Sequence, residues 1–229
     1  MSFFGYPNES LLAKAIREAQ EREAQKKALL GSLLASQSPY SPVLLTPVKR
    51  KVFISYHHAN EEEAENFIDE WTVKNKVFTP LALGVNDDDD FIESDDTDYV
   101  ISQIRKKYLY TTSVTIVLIG SCTHSRRYVD WEIKASLRQE QFSLPNGLIG
   151  IVLSTQGGRA HLPPRFQDNW NSELKDCYAR YHSAPTTASQ LREWIEDAFN
   201  ARTTRAKHIK NSVEIMKYNA VCKICRVTH

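Results

Sequence analysis

Two side chains that could act on a bound ligand, Tyr128 and Glu132, stand four residues apart in the middle of the chain. On a helix this spacing places them on one face, about one turn from each other. A carboxylate in such a position can bind hydroxyl groups and stabilise positive charge as it develops in a ligand. The pair can act on a ligand only if the neighbouring strands and helices place it in a binding cleft.

The residues around the pair predict a strand followed by a helix. Val114 to Ile119 is a short, largely β-branched apolar run, typical of a strand buried on both faces of a parallel sheet. Ser125 is a candidate cap for a helix from Arg126 to Gln139, which contains no Gly or Pro. Glu132 should then lie near the carboxyl end of a central strand, where open α/β sheets bind ligands.

Further strands and helices alternate along the chain. Strands are predicted at 51–56, 76–83 and 147–153, with a weaker one at 177–181, and helices at 60–74, 96–107 and 189–202. This alternation predicts an open parallel, flavodoxin-like sheet with helices on both faces. Pro80 favours an edge position for the second strand. Residues 84–95 and 154–171 are predicted loops.

The composition is that of an ordinary globular protein, with 229 residues and a net charge of +1. The apolar runs are too short to span a bilayer, and the N-terminus has no leader pattern. Four cysteines are too few for a disulfide scaffold, so we expect a cytoplasmic protein. Cys122 and Cys177 are interpreted as small buried hydrophobic residues. Neither a membrane nor a nucleic acid is an expected partner.

The predicted domain at 50–202 has an extension at each end. A helix within residues 1–35 carries a short apolar stripe and needs a partner surface, and residues 36–49 form a Pro/Ser-rich linker. A basic tail follows at 203–229. From residue 201 onward there are seven Lys or Arg against one acid, which favours a solvated segment over a partner-binding or nucleic-acid-binding arm.

Cys222, Cys225 and His229 have the spacing of half a zinc motif. A fourth ligand would have to come from elsewhere, for instance from His208. Half a motif does not establish a metal site, so none is predicted, and metal binding by these residues stays open.

Three segments resemble TIR-like domains: FISY at 53–56, SVTIVLIG at 113–120 and RRYVDWEI at 126–133. More narrowly, they resemble the ThsB branch of bacterial Thoeris anti-phage systems. The resemblance covers about residues 50–200 and implies a TIR-like version of the open parallel fold.

The resemblance implies cleavage of NAD by one glutamate, which is Glu132 here, with an aromatic residue one turn earlier, Tyr128. Cleavage of the nicotinamide–ribose bond passes through an oxocarbenium-like centre. Nicotinamide leaves from a cation and departs neutral, so one carboxylate can suffice without a general acid. Tyr128 could stack on the cationic ring.

Ser55, Tyr56 and His57 end the first strand at the same edge and are candidate contacts for NAD. Arg126 and Arg127 stand at the start of the helix, where exposed N–H groups favour anions. Either could reach a diphosphate, with Arg126 as the candidate contact, or remain a solvated surface charge. NAD is expected as substrate, with no prosthetic group. The resemblance implies that the product, a cyclic ADP-ribose isomer or a conjugate, activates a separate effector after phage infection. Self-association through TIR surfaces or the N-terminal helix is also expected.

An acidic run at 87–98 contains eight acids and no base, and it would repel a diphosphate. We expect this loop to contact a basic surface of a neighbouring subunit or to remain solvated. A phosphoacceptor receiver is excluded because it needs carboxylates after the first and third strands, where Ser55–His58 and Gly120–Ser121 stand. The rival hypothesis is a catalytically silent TIR-like interaction module.

Overall fold

The computed structural model describes residues 48–82, 96–139, 143–156, 160–171, 173 and 176–228. The chain divides into two compact units, Met1–Val48 and Lys49–His229. The predicted N-terminal helix, the linker up to residue 47, the acidic run up to residue 95 and His229 lie outside the described residues. None of the helices in the described ranges has the length and apolar character needed to cross a membrane.

Five parallel strands form one sheet in the order β2-β1-β3-β4-β5. They are β1 (Lys51–Ser55), β2 (Thr79–Ala82), β3 (Val114–Ile119), β4 (Gly147–Val152) and β5 (Arg180–His182). The flavodoxin-like order is therefore confirmed. Pro80 lies in β2, an edge strand, as predicted. β5 begins three residues later than expected.

Among the described residues, four α-helices connect the strands and a fifth follows β5. They are α1 (Glu61–Ile68), α2 (Thr97–Ile104), α3 (Arg127–Ser136), α4 (Pro164–Asn169) and α5 (Ala188–Thr204). α1 and α2 continue in wider π-helical turns, Asp69–Lys74 and Arg105–Leu109. α4 corrects the prediction of a loop at 154–171, because six residues starting with Pro are too short to show helical periodicity.

The helices cover both faces of the sheet, as predicted. In β1, Val52 and Ile54 pack with α1 and α5, whereas Phe53 packs with α2 and α3 on the opposite face. The alternation of side chains along a strand places Ser55 on the Phe53 side. β3 and β4 are buried along their whole length, in agreement with the apolar runs that predicted them.

The helices α2 and α3 are capped in different ways. Asp96, part of the acidic run, caps α2 by accepting hydrogen bonds from the N–H groups of Asp98 and Tyr99. Ser125 does not cap α3, since its hydroxyl donates to the carbonyl of Cys122 at 2.9 Å. The N–H of Arg127 instead donates to the side-chain oxygen of Asn219, 92 residues away.

This bond belongs to a long contact between the tail and α3. The Asn211 amide donates to the Lys134 carbonyl, and the Trp131 indole donates to the Met216 carbonyl. The Ala220 N–H donates to the Ser125 carbonyl. Tail residues 211–220 therefore run antiparallel to α3. The prediction of a solvated tail is wrong for this segment. Polar and backbone contacts hold it against α3, and such contacts leave no apolar periodicity in the sequence.

A buried ion pair fixes this arrangement. Arg165 of α4 donates from Nε and Nη2 to the two carboxylate oxygens of Asp130 on α3, at 2.9 and 3.1 Å. Asp130 also accepts from the Met216 N–H, and Arg165 donates to the carbonyl of Asn211. Both charged side chains are buried, so removal of one leaves the other without its counter-charge.

Arg165→Leu should therefore reduce the free energy of unfolding by about 3–5 kcal/mol, because Asp130 would stay buried without a counter-charge. Denaturant unfolding of the full chain measures this loss. Lys74→Ala, which breaks the exposed pair with Glu70, is the matched control and should change stability little. Equal midpoints for the two variants would contradict the anchoring role of Arg165.

Candidate active site

Glu132 and Ser55 meet at the point where the strand order reverses. After β1 the chain crosses to β2 on one side and then returns to β3 on the other, which leaves a crevice at the carboxyl ends of β1 and β3. Ser55 is the last residue of β1, and Glu132 lies on α3, the helix after β3. The Ser55 hydroxyl donates to Glu132 Oε2 at 2.5 Å across 77 residues of sequence.

This carboxyl group is buried. Glu132 is 6% exposed and Ser55 is fully covered. Burial raises the pKa of Glu132 to about 8, and the hydrogen bond from Ser55 opposes that rise by favouring the charged form. Glu132 is thus largely protonated at neutral pH in the protein without ligand. A cation close to it would favour ionisation.

Tyr56 and His57 follow Ser55, and both are half-buried. Burial raises the pKa of the Tyr56 hydroxyl, and the negative charges of Glu61, Glu65 and Glu132 raise it further. Tyr56 therefore lies within electrostatic range of Glu132. The His57 carbonyl accepts the Asn60 N–H at 2.7 Å, which starts a short 3₁₀ turn before α1.

Tyr128 is half-buried on α3, four residues before Glu132. Its ring packs edge-on against Trp131, with the centroids 5.1 Å apart. The Arg127 guanidinium carbon lies 4.9 Å from the centroid of the Tyr128 ring, and Nη2 donates to the Tyr128 hydroxyl at 3.2 Å. The Tyr128 ring is thus already in contact with a cation.

The side chain of Arg126 is buried, although its position at the helix start suggested an exposed contact for an anion. Its side chain is 5% exposed at the start of α3. It lies within electrostatic range of His124, whose pKa is lowered by burial first and then by nearby positive charges that include Arg126. Arg127 is half-exposed and is better placed to meet an anion from solvent.

Asn60 and Gly120 form a contact at this edge that the sequence did not reveal. Asn60 stands at the N-cap position of α1, but its side chain makes no capping hydrogen bond. The Asn60 amide donates to Glu63 at 2.7 Å and lies against Gly120, where an added Cβ would overlap it. The glycine directly after β3 is the one sequence signal for this close approach.

A separate groove of about 540 Å³ lies at the other edge of the sheet. Leu109 and Asn146, which precede β3 and β4, line it, together with the basic residues Arg105, Lys106 and Arg138. Its described lining contains no carboxylate. The groove therefore does not belong to the Ser55–Glu132 site.

The open parallel sheet, with a buried glutamate on the helix after β3, has the arrangement that the TIR-like resemblance implies. Residues 53–157 match the family model described as Thoeris protein ThsB, TIR-like domain. These residues therefore form a TIR-like domain of the Thoeris ThsB type, a family of anti-phage defence. The matched segment includes Ser55, Tyr128 and Glu132 but not the tail. No curated protein matches the chain.

Glu132→Gln should flatten the dependence of stability on pH between about 5 and 8. In this window the folded wild type holds a proton that the unfolded chain has lost, so its stability falls as the pH rises, by an amount on the order of a few kcal/mol. Glutamine stays neutral throughout. Denaturant unfolding at several pH values measures both slopes.

Glu193→Gln, on an exposed position of α5, is the control and should keep the wild-type slope. If Glu132→Gln kept the wild-type dependence of stability on pH, the buried carboxyl group would not be the group that holds the proton.

Proposed function

We propose that this protein cleaves the bond between nicotinamide and ribose in NAD. The observation that carries the proposal is the buried contact between Glu132 and Ser55 at the reversal of strand order. It coincides with the helix on which the TIR resemblance implies a catalytic glutamate. The family match, which includes both residues, supports the same assignment.

The chemistry needs only one carboxylate. When the C–N bond breaks, its electron pair moves to the ring nitrogen, and the pyridinium cation becomes neutral nicotinamide. Positive charge then develops on the ribose carbon and ring oxygen. Ionised Glu132 stabilises this charge and accepts hydrogen bonds from the ribose hydroxyls, while Ser55 orients the carboxylate.

The raised pKa of Glu132 couples ionisation to substrate binding. Without ligand the carboxyl group is largely neutral at pH 7. The pyridinium ring brings a positive charge, which lowers the pKa of a nearby acid. The Glu132 carboxylate therefore forms when NAD is bound, and its negative charge is then available to the reaction.

Tyr128 and Arg127 complete the proposed site. The pyridinium ring would replace the Arg127 guanidinium over the Tyr128 face, because two cations do not share one aromatic surface. The released Arg127 is half-exposed and can meet the diphosphate of NAD. Of the two arginines that the sequence suggested for this role, the proposal keeps Arg127 and not the buried Arg126. Ser55, Tyr56 and His57 supply the remaining contacts.

The acceptor of the ADP-ribosyl group decides the product. An atom of the same molecule gives a cyclic isomer, water gives ADP-ribose, and an external nucleophile gives a conjugate. We propose a cyclic isomer or conjugate that serves as a signal after phage infection and activates a separate effector. Assembly through TIR surfaces belongs to the same proposal.

A silent interaction module is the second candidate. The burial of Glu132 favours it, since a structural carboxyl group bonded to Ser55 would have the same low exposure. In that case the pair would only join β1 to α3. Nicotinamide release distinguishes the two functions.

Purified protein incubated with NAD, with lysate from phage-infected cells as trigger, should release nicotinamide. Glu132→Gln should lower the rate by about 100-fold or more, because the developing charge loses its counter-ion. Chromatography quantifies nicotinamide, and mass spectrometry identifies the product. Glu193→Gln should retain the wild-type rate. Triggered wild type that releases no nicotinamide would favour the interaction module.

The pH profile should report the buried carboxyl group directly. kcat/KM follows the free enzyme and should rise with pH up to about 8, where Glu132 becomes ionised. kcat follows the complex, in which the pyridinium charge lowers that pKa, so its rise should lie at lower pH. Initial rates at limiting and saturating NAD measure both. If kcat/KM and kcat rose at the same pH, coupling of Glu132 ionisation to NAD binding would be excluded.

A further inference from the structure

Three cysteines converge where the tail meets the loop after β3. The Sγ atoms of Cys122, Cys222 and Cys225 all lie within 4.8 Å of one another. Cys122 was predicted to be a buried hydrophobic residue, but it is half-exposed and its sulfur is 3.6 Å from that of Cys225. A disulfide needs about 2.05 Å, so these sulfurs are not bonded to each other.

The spacing is that of thiolates around one metal ion. Zinc bound tetrahedrally at about 2.3 Å from each sulfur separates the sulfurs by about 3.8 Å. The observed 3.6 Å between Cys122 and Cys225 is close to this value. A group of three cysteine sulfurs favours zinc over oxygen-preferring cations such as Mg²⁺ or Ca²⁺.

The local backbone also suits a metal site. The N–H groups of Ile224 and Cys225 point at the Cys222 sulfur, at 3.4 and 3.5 Å. The Arg226 N–H donates to the Cys222 carbonyl, and Arg226 has a positive φ of 63°, so the chain turns sharply around the sulfurs. Hydrogen bonds of this kind orient a ligand and stabilise its charged form.

We propose that Cys122, Cys222 and Cys225 bind one zinc ion that fastens the tail to the start of α3. Cys122 and Cys225 are 103 residues apart, so the metal would close a long loop and restrict the unfolded chain. Neighbouring contacts favour the same closure, since the Lys223 N–H donates to His124 Nε2 at 3.0 Å.

Cys225 is exposed, so the cluster can be reached from solvent. Water or another side chain can complete the coordination there. His208, a fourth ligand suggested by the sequence, is not part of the converging group. Cys122, 100 residues before Cys222, supplies the missing sulfur instead.

The test measures the metal content of the full chain, purified with a reductant and equilibrated with zinc. Wild type should retain about one zinc per chain, and Cys122→Ser, Cys222→Ser and Cys225→Ser should each lose most of it. Cys177→Ser is the matched control, because this half-exposed cysteine lies outside the cluster, and it should keep the zinc. Circular dichroism checks that each variant folds.

Wild type itself provides a second readout. Cobalt in place of zinc should give the absorption bands of thiolate-bound tetrahedral Co(II), and removal of metal by a chelator should open the tail to trypsin at Lys217 and Lys223. Wild type that retains no zinc, or equal zinc in all four variants, would overturn the proposal. So would a disulfide between two of these cysteines after thiol trapping in intact cells.

Discussion

Asp130 is the residue on which the packing of this domain most depends. Its two oxygens accept hydrogen bonds from Arg165 on α4 and from the backbone of Met216 in the tail. A buried carboxylate is tolerated only with such partners, so α3, α4 and the tail must assemble together or leave a charge uncompensated. The position of α3, and with it the position of Glu132, follows from that requirement.

Two carboxyl groups two residues apart on α3 therefore have opposite surroundings. Asp130 faces a guanidinium that lies within bonding distance of both its oxygens, whereas Glu132 has the hydroxyl of Ser55 as its described hydrogen-bond donor. The first arrangement brings a carboxyl group and a guanidinium together, whereas burial in the second raises the pKa of Glu132. The difference comes from the neighbours on each side of one helix.

The sequence predicted the sheet and the place of the candidate site because both depend on apolar periodicity. Val114–Ile119 and Gly147–Val152 are continuous buried runs, and Glu132 follows at a fixed helical offset. The contacts that it missed join distant residues through polar atoms: Arg165 to Asp130, Asn219 to Arg127, and Cys122 to Cys225. Such pairs leave no local pattern, because the two partners lie far apart in the sequence. The burial of Arg126 was missed for the same reason, because the tail beside its helix was interpreted as solvated.

The contact between the tail and α3 also bears on how the chain folds during synthesis. Residues 211–225 are made after every strand of the sheet, yet they supply the cap of α3 and a partner of Asp130. Contacts across about 90 residues form slowly because a long loop must close first. Until these residues leave the ribosome, the sheet can form while the helix that carries Glu132 lacks its outer cover. The outer side of α3 is therefore the last part of this helix to acquire its native contacts.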